Sequence, residues 1–579
     1  MASTTPKPKL HGRAFYESIG SPQFIVAPMV DQSEFAWRML TRSFLTPAEN
    51  AKTLAYTPMF HARLFEEAPK YRESHFQPTK EGWVPAATNA TDSSLLPAPE
   101  EPSRTTPFLD GNPKFDRPLF VQFCANDPQI LLGAAKKAAP YCDAVDLNLG
   151  CPQGIARKGH YGAFLQEDQQ LVYNLINTLH KELPIPVTAK IRILDTKENT
   201  LKYAQNVLAA GASIITVHGR RREQKGHLTG VADWEYLRYL RGNLPPETVI
   251  FANGNILQHG DIERCLEATG ADAVMSAEGN LSDPAVFATP PPPGQEGREY
   301  WRGRDGKGGW RVDAVFRRYM DIIYKHVLQQ EPPTRRPLFV VGDDEAWLHE
   351  VETKDGEEDG GPARKKRKTD GSGGKKREDS PNLVAMRPHL FHLLRHFISR
   401  HTDIRDMLAK THAVVGVEKV LEMVEQRIAA GMIEYEKTDG LSIKNEPEIK
   451  PNKQQAPASK SKERKEEIGE AGGKAIENDP ESSVATVNAC KRPWWVAQPI
   501  IRPLPKEALA NGAISISKKQ QKKEAAASEA NTAKADARVA GQSTAVEKEL
   551  PSLNAEVGAK EPQIDPKDPG KTTDALLSG

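Results

Sequence analysis

The stretch AVDLNLGCPQGIARKGHYGAFL, residues 144–165, begins with a short apolar run that leads into a polar turn containing glycine. An apolar run of this length, bounded by turn residues, is typical of a buried β-strand. The residues that follow, 166–182, have the spacing of an amphipathic helix. The stretch therefore predicts one strand followed by one helix, which is the repeating unit of parallel α/β proteins.

Runs of the same kind occur eight times in the first half of the chain. The predicted strands are 23–29, 54–59, 118–124, 144–150, 185–193, 213–219, 248–255 and 273–279. Helical segments are predicted at 33–44, 128–139, 166–182, 198–210 and 258–269. Eight strands in this length favour a closed (β/α)8 barrel over an open doubly wound sheet. We therefore predict an α/β fold with a TIM barrel over 21–290, an insertion near 77–117 and an N-terminal tail at 1–20.

The second half of the chain alternates between helical and low-complexity composition. Apolar residues at helical spacing predict a small all-α domain formed by 291–339 and 386–432. Residues 340–385 and 433–579 are rich in Lys, Glu, Ala, Ser, Gly and Pro, and bury too little apolar surface to offset chain entropy. We predict that both are disordered, apart from a short aromatic motif within 490–505, which we expect to dock on the folded body or on a partner.

Composition excludes several classes of protein. The five cysteines, at 124, 142, 151, 265 and 490, have neither the paired spacing of a disulfide framework nor that of a zinc site. No segment approaches the roughly 20 apolar residues of a membrane span. The net charge of +1 is an average over segments of different charge, so it indicates no class of partner. We expect a soluble, intracellular, monomeric protein that binds no membrane and no metal.

Polar and glycine residues lie at the ends of six of the predicted strands, and Pro28 and Met29 end a seventh. In a barrel these strand ends meet at one face, where the active sites of such barrels lie. Each residue alone would be read as an ordinary turn or solvated residue, but their convergence indicates a ligand site. The set comprises Pro28, Met29, Gln122, Asn148, Cys151, Lys190, Arg192, His218, Asn253, Gly254, Asn255, Ala277, Glu278 and Gly279.

These groups suit flavin mononucleotide (FMN). Its phosphate requires backbone N–H groups from glycine-containing turns, which the segments 251–255 and 275–280 provide. Its ring requires hydrogen-bonding side chains, and Gln122, Lys190 and His218 meet this requirement. A cation near N1 stabilises the anionic reduced flavin.

Several motifs resemble those of the tRNA-dihydrouridine synthases, in particular the eukaryotic branch that acts on D-loop uridines 16 and 17. The motifs are APMVDQSEFAWR (27–38), VQFCANDP (121–128), DLNLGCPQGIARKGHYGAFL (146–165), KIRI (190–193), VHGRRREQKG (217–226), ANGNI (252–256) and AVMSAEGNL (273–281). The resemblance implies a TIM barrel with a helical tRNA-binding domain, FMN as cofactor, NADPH or NADH as reductant, and a tRNA contacted at its D-loop and arm.

The resemblance also implies roles for individual residues. Glu278 stands where many members have arginine, so we expect backbone amides near 277–279 to contact the phosphate. Cys151 is implied as the catalytic residue. The implied FMN contacts are Pro28, Met29, Val30, Gln122, Lys190, His218, Asn253, Gly254, Asn255, Ala277 and Glu278.

Reduction of the uracil 5,6 double bond defines the role of Cys151. The reaction adds hydride at C6 and a proton at C5, and the two are delivered from opposite sides of the ring. With the flavin as hydride donor, a protonated Cys151 thiol is the expected proton donor. Cys124 and Cys265 lie in apolar sequence and are expected to be structural.

A uridine in folded RNA must leave its stack, and the surrounding phosphates must be held by basic groups. Substrate contacts are predicted at Asn148, Arg157, Lys158, Arg192, Arg220, Arg387 and Arg395. The five histidines between 389 and 412 lack a metal motif, so we interpret this region as an RNA-facing helix. The basic clusters within 362–377 are typical of nuclear import signals or RNA-binding arms, and we expect the protein in nucleus and cytoplasm.

Two other functions remain open from the sequence. A flavin reductase for a small pyrimidine would share the FMN groups but has no use for a basic helical appendage. An RNA-binding scaffold without catalysis would not need Cys151, Lys190 and His218.

Overall fold

Eight parallel strands close into a barrel in the computed structural model. Strand β1 pairs with β2 (Phe24 with Thr53) and with β8 (Phe24 with Val274), while β2 also pairs with β3 (Ala55 with Leu119), which closes the ring. The predicted TIM barrel is therefore confirmed. The strands of the ring are β1 (Phe24–Val26), β2 (Thr53–Tyr56), β3 (Leu119–Cys124), β4 (Ala144–Leu149), β5 (Val187–Arg192), β6 (Ile214–His218), β7 (Val249–Asn253) and β8 (Ala273–Ser276), and the two-residue strand Phe60–His61 pairs with β3.

The structure describes residues 9–82, 106–349, 380–411, 413–444, 483–501, 503–504 and 507. All of them belong to one compact unit, Met1–Ala513. Parts of the predicted disordered segments lie outside the described residues, including the basic clusters at 362–377. In the part of the chain described, no helix is long and apolar enough to cross a membrane.

Helices surround the barrel because each has one apolar face. Helix α8, for example, buries Val172, Leu175, Ile176 and Leu179, and the Asp168 side chain caps its first turn. The helices of this half are α1 (Gly12–Ser18), α2 (Phe35–Ser43), α3 (Pro47–Ala51), α4 (Ala62–Glu67), α5 (Pro69–His75), α6 (Pro128–Ala138), α7 (Gly154–Lys158), α8 (Gln169–Glu182), α9 (Lys197–Ala209), α10 (Trp234–Asn243), α11 (Asp261–Thr269) and α12 (Glu278–Ser282).

The N-terminal segment differs from the predicted tail. Helix α1 buries Phe15 and Tyr16 in the barrel core, where Phe15 stacks on Phe120 with ring centroids 5.9 Å apart. The Tyr16 hydroxyl also donates to the carbonyl of Asp272 at 3.2 Å. Residues 9–20 are thus part of the folded barrel, because two aromatic side chains place this segment in its core.

The second half forms a hairpin and a helical bundle. The hairpin consists of β9 (Tyr300–Arg302) and β10 (Gly308–Trp310). The prediction that residues 380–385 are disordered is wrong, because Ser380 is the N-cap of helix α14 and residues 381–385 form its first turn. The helices are α13 (Val312–Ile322), continued by a π-helical turn (Ile323–Leu328), α14 (Pro381–Leu393), α15 (Arg395–Ile398), α16 (Thr402–Lys410), α17 (Val414–Lys437), α18 (Leu441–Lys444) and α19 (Ser483–Cys490).

The aromatic motif docks on the folded body. Trp495 is 1% exposed, and its carbonyl accepts from the Val312 N–H at 2.9 Å. The Ala497 N–H donates to the Trp310 carbonyl at 2.8 Å, next to the hairpin. The neighbouring Trp494 ring lies 5.4 Å from that of Phe397. The motif therefore joins the hairpin to the helical bundle.

A buried arginine on α2 fixes the end of the predicted insertion. Arg38, fully buried, donates to Asp110 at 2.8 Å and to Asp116 at 2.6 and 2.9 Å. A buried pair of this kind is costly to break, because the remaining partner is left as an uncompensated charge. Residues 106–117 are therefore held against the barrel.

We predict that Arg38→Met lowers the free energy of unfolding by about 3–5 kcal/mol, since it leaves two buried carboxylates without their cation. The exposed pair of Arg63 with Glu67 provides the control, and Arg63→Ala should cost less than about 1 kcal/mol. Urea denaturation followed by tryptophan fluorescence measures both. Equal effects of the two substitutions would contradict the role assigned to Arg38.

Candidate active site

A cavity of about 290 Å³ opens at the carboxyl ends of β6, β7 and β8. Nine of the residues predicted from the sequence line it, although they come from four separate segments. They are Arg192, His218, Arg220, Asn253, Gly254, Asn255, Ala277, Glu278 and Gly279.

The turn after β7 requires a residue without a side chain. Gly254 has a φ of +119°, and a Cβ there would lie 2.6 Å from the Cβ of Ala232 and 3.3 Å from the His218 ring. Asn255 follows in the left-handed conformation and holds the opposite segment, because its amide exchanges two hydrogen bonds with the backbone of Ala232. The turn is thus rigid and leaves its backbone open to a ligand.

Lys190 lies on β5 beside the cavity and contacts one of its lining residues. Its ammonium donates to the Asn253 side-chain oxygen at 2.8 Å, while Asn253 donates to the carbonyl of Met275. Burial lowers the pKa of Lys190 to about 7, with the nearby Arg192 acting in the same direction and Asp146 and Cys151 opposing it. A bound anion would favour the charged ammonium.

His218 is neutral in this arrangement. The Arg220 guanidinium lies 3.2 Å from its Nε2, and because a guanidinium can only donate, Nε2 must carry a lone pair. Burial holds the pKa of His218 well below its usual value, and Arg192 and Lys190 act in the same direction. The proton therefore resides on Nδ1.

The loop that carries Cys151 is held on both sides. The Cys151 N–H donates to the Asn148 side-chain oxygen at 2.9 Å, and its carbonyl accepts from the Ala163 N–H at 3.0 Å. Gly162 has a φ of +66°, and a Cβ there would meet the Cys151 carbonyl at 2.8 Å. The loop thus has little freedom, which suits a thiol that must meet a substrate atom.

Cys151 differs from the other described cysteines in its exposure. It is partly buried, whereas Cys124, Cys142, Cys265 and Cys490 are buried. Burial raises the pKa of Cys124, its neighbour in a small apolar cluster, to about 12. Of the five thiols, Cys151 is the accessible one.

Apart from Lys190 and Cys151, the predicted residues outside the cavity fall into three groups. Gln122 and Asn148 lie beside it, buried in the barrel and hydrogen-bonded to each other at 2.8 Å. Asn148, predicted to bind substrate, uses both ends of its amide within the protein. The strand-end residues Pro28, Met29 and Val30 follow β1, and Val30 is 54% exposed. Arg157, Lys158, Arg387 and Arg395 do not line the cavity.

Two buried contributors were missed by the sequence analysis. Asp146 accepts from Gln122 at 2.8 Å and from Thr188 at 2.6 Å. The signal was a carboxylate inside an otherwise apolar strand, AVDLNL. Such a residue needs partners, and these are contributed by the two neighbouring strands.

Comparisons with known proteins place the chain in one family. The family model described as Dihydrouridine synthase (Dus) matches residues 25–299. The chain is 43% identical over 438 residues to the tRNA-dihydrouridine(16/17) synthase [NAD(P)(+)] of Saccharomyces cerevisiae, covering 76% of this chain and 81% of that protein. The protein of the same description from Schizosaccharomyces pombe is 39% identical, with 86% and 92% covered. A human tRNA-dihydrouridine(20a/20b) synthase-like protein is 32% identical, with 46% and 70% covered.

We predict that Lys190→Met weakens FMN binding by roughly ten- to a hundredfold, because a hydrogen bond to a charged group is worth about 1.5–3 kcal/mol. The wild-type affinity should also fall as pH rises above about 7, where unliganded Lys190 loses its proton, and the variant should lack this part of the pH dependence. Flavin fluorescence titration of apoprotein from pH 6 to about 9 measures both. Lys202→Met, at an exposed position of α9, is the control. Unchanged affinity of the Lys190 variant at every pH would contradict the assignment.

Proposed function

Because the chain belongs to the dihydrouridine synthase family, we propose that it is a flavin-dependent oxidoreductase that reduces uridines of tRNA to dihydrouridine with NADPH or NADH as reductant. The observation that carries this proposal is the placement of Cys151 on a constrained loop beside a cavity lined by the predicted cofactor residues. A small-molecule reductase would not require the docked helical bundle.

We further propose uridines 16 and 17 of the D-loop as the targets. The two yeast relatives are named for these positions, and their matches to this chain extend well beyond the barrel. The human relative named for positions 20a and 20b matches a length close to that of the barrel alone. We therefore assign the selection of the target uridine to the helical bundle and the aromatic motif.

FMN fits the cavity on three observations. The Gly254 turn has no room for a side chain, Lys190 beside the cavity is a partly buried amine whose charged form an anionic neighbour would stabilise, and His218 is a neutral hydrogen-bonding group. When bound, FMN supplies the hydride. The residues proposed to hold it are Gln122, Lys190, His218, Asn253, Gly254, Asn255, Ala277 and Glu278, with Pro28, Met29 and Val30 beside them.

The protein's own groups supply the proton and the geometry. Cys151 Sγ would donate a proton to C5 of the uracil ring, and the thiolate that remains would be reprotonated from solvent. The hydrogen bonds that the Cys151 backbone donates to Asn148 and accepts from Ala163 fix the loop so that the thiol is in place when the base enters. Arg192 donates to the Gly150 carbonyl at 2.6 Å and so holds the residue before Cys151.

We assign tRNA binding to the helical bundle together with the barrel mouth. Arg395 is exposed on α15, and Arg387 on α14 donates to the carbonyl of Ala409 at 3.2 Å. Arg157 and Lys158 are exposed on α7, directly after the Cys151 loop. We also propose that the protein divides between nucleus and cytoplasm, on the basis of the basic clusters at 362–377.

We predict that Cys151→Ala binds FMN and that its flavin is reduced by NADPH at the wild-type rate. The variant should form dihydrouridine about 10²- to 10⁴-fold more slowly, because the proton donor is lost. Stopped-flow absorbance measures flavin reduction, and nucleoside mass spectrometry measures dihydrouridine in tRNA. Cys124→Ala, which removes the adjacent buried thiol, should leave both rates nearly unchanged. Wild-type dihydrouridine formation by the Cys151 variant would refute its role.

We predict that Arg387→Ala combined with Arg395→Ala weakens tRNA binding and flattens the dependence of log affinity on log salt by about one to two units, because each phosphate contact releases condensed counterions. Lys181→Ala with Lys202→Ala, on the outer helices of the barrel, removes the same charge and should leave the slope unchanged. Filter binding at several salt concentrations makes the measurement. A similar loss in both double variants would show that net charge alone is responsible.

A further inference from the structure

A continuous chain of hydrogen bonds crosses the barrel interior and ends at the backbone of Cys151. Thr188 donates its hydroxyl proton to one oxygen of Asp146 at 2.6 Å, and the Gln122 amide donates to the other oxygen at 2.8 Å. The Asn148 amide donates to the Gln122 oxygen at 2.8 Å. The Asn148 oxygen then accepts from the N–H groups of Gly150 at 3.2 Å and Cys151 at 2.9 Å.

Strand register brings these side chains together. Asp146 on β4 is paired with Gln122 on β3 and with Thr188 on β5, so the three form one layer of the barrel interior. Asn148 lies two residues further along β4 and therefore points to the same side of the sheet. All four side chains are buried, with Gln122 and Asp146 at 0% exposure.

The two ends of the chain give it a direction. A backbone N–H can only donate, and a carboxylate can only accept. With Cys151 N–H at one end and Asp146 at the other, both amides are restricted to one orientation. If Asp146 lost its acceptor oxygens, the Gln122 amide would be left without this partner, and nothing at that end would hold the orientation of Asn148.

We propose that Asp146 is a positioning residue for Cys151, acting through Gln122 and Asn148 to hold the loop in the geometry that proton transfer to the substrate requires. This role rests on the proposed function. Asp146 accepts from a hydroxyl and an amide, and its position in the interior is costly for a carboxylate, which a purely structural layer of the barrel would avoid by using an apolar residue. The charge of Lys190 acts on the Asp146 carboxylate, and the carboxylate in turn acts on the phenol of Tyr56.

Burial raises the pKa of Asp146 to about 6, while the hydrogen bonds from Thr188 and Gln122 and the charge of Lys190 oppose this rise. The carboxylate therefore prevails at neutral pH, which agrees with its acceptor role in the chain.

The first test is Asp146→Ala in the full-length protein loaded with saturating FMN. We expect kcat for dihydrouridine formation in tRNA to fall by about ten- to a hundredfold, since small displacements of a reacting group are costly in rate. The KM for tRNA and the rate of flavin reduction by NADPH should stay within about twofold of wild type. Asp146→Asn should restore most of kcat, because its oxygen still accepts from Gln122 while the Thr188 hydroxyl accepts from the new amide.

Two controls separate positioning from a general loss of stability. Val145→Ala weakens the same strand from its other face, without touching the hydrogen-bonded chain, and should leave kcat unchanged. In the background of Asn148→Ala, which breaks the last link, Asp146→Ala should have no further effect on kcat. If the alanine variant does not fold, Asp146→Leu, which keeps the volume, replaces it in the same cycle.

Three outcomes of the kcat measurements would overturn the role of Asp146: wild-type kcat in Asp146→Ala, an equal loss in Val145→Ala, or an additive loss in the double variant. A change confined to FMN affinity would also overturn it, because Gln122 would then act on the cofactor alone. Failure of the proposed function is distinguishable, since the wild-type protein would then form no dihydrouridine or Cys151→Ala would retain full activity.

Discussion

Closure of the parallel sheet is the constraint on which the rest of the structure depends. The pairing of β1 with β8 and of β2 with β3 leaves the barrel without a free edge among its eight strands. Because all strands run in the same direction, their carboxyl ends lie on one rim. Residues as distant in sequence as Gln122 and Asn253 are therefore brought to a common site, and a break in the ring would disperse them.

Helix α2 connects this barrel to the parts added around it. Arg38 holds the end of the insertion, and the indole of Trp37 stacks on His389 of α14 with centroids 3.9 Å apart. The Ala36 N–H donates to the side chain of Asn382, and Glu34 at the start of α2 pairs with His389 at 2.9 Å. Since α2 follows directly after the loop at 28–30, the helical bundle is mechanically connected to the rim of the site.

The electrostatics of the site favour anionic ligands. Burial together with neighbouring cations lowers the pKa of Lys190 to about 7 and that of Arg192 to about 10. Cations whose pKa values are lowered by burial and by a neighbouring cation are stabilised when an anion enters. A phosphate-bearing cofactor and an RNA substrate are both ligands of this kind, so cofactor and substrate binding would each relieve the same repulsion.

The sequence by itself determined the barrel and its strand order, and it identified residues that line the cavity at the strand ends. Short apolar runs ending in glycine or polar residues are a local signal, and the direction of the strands then assigns their ends to one rim. The tertiary structure decided what depends on contacts between distant segments. The burial of Phe15 in the core, the docking of Trp495 and the internal use of the Asn148 amide each require partners 105, 183 or 26 residues away, such as Phe120, Val312 and Gln122. A local pattern of residues carries no information about such partners, because register and packing select them only when the chain has folded.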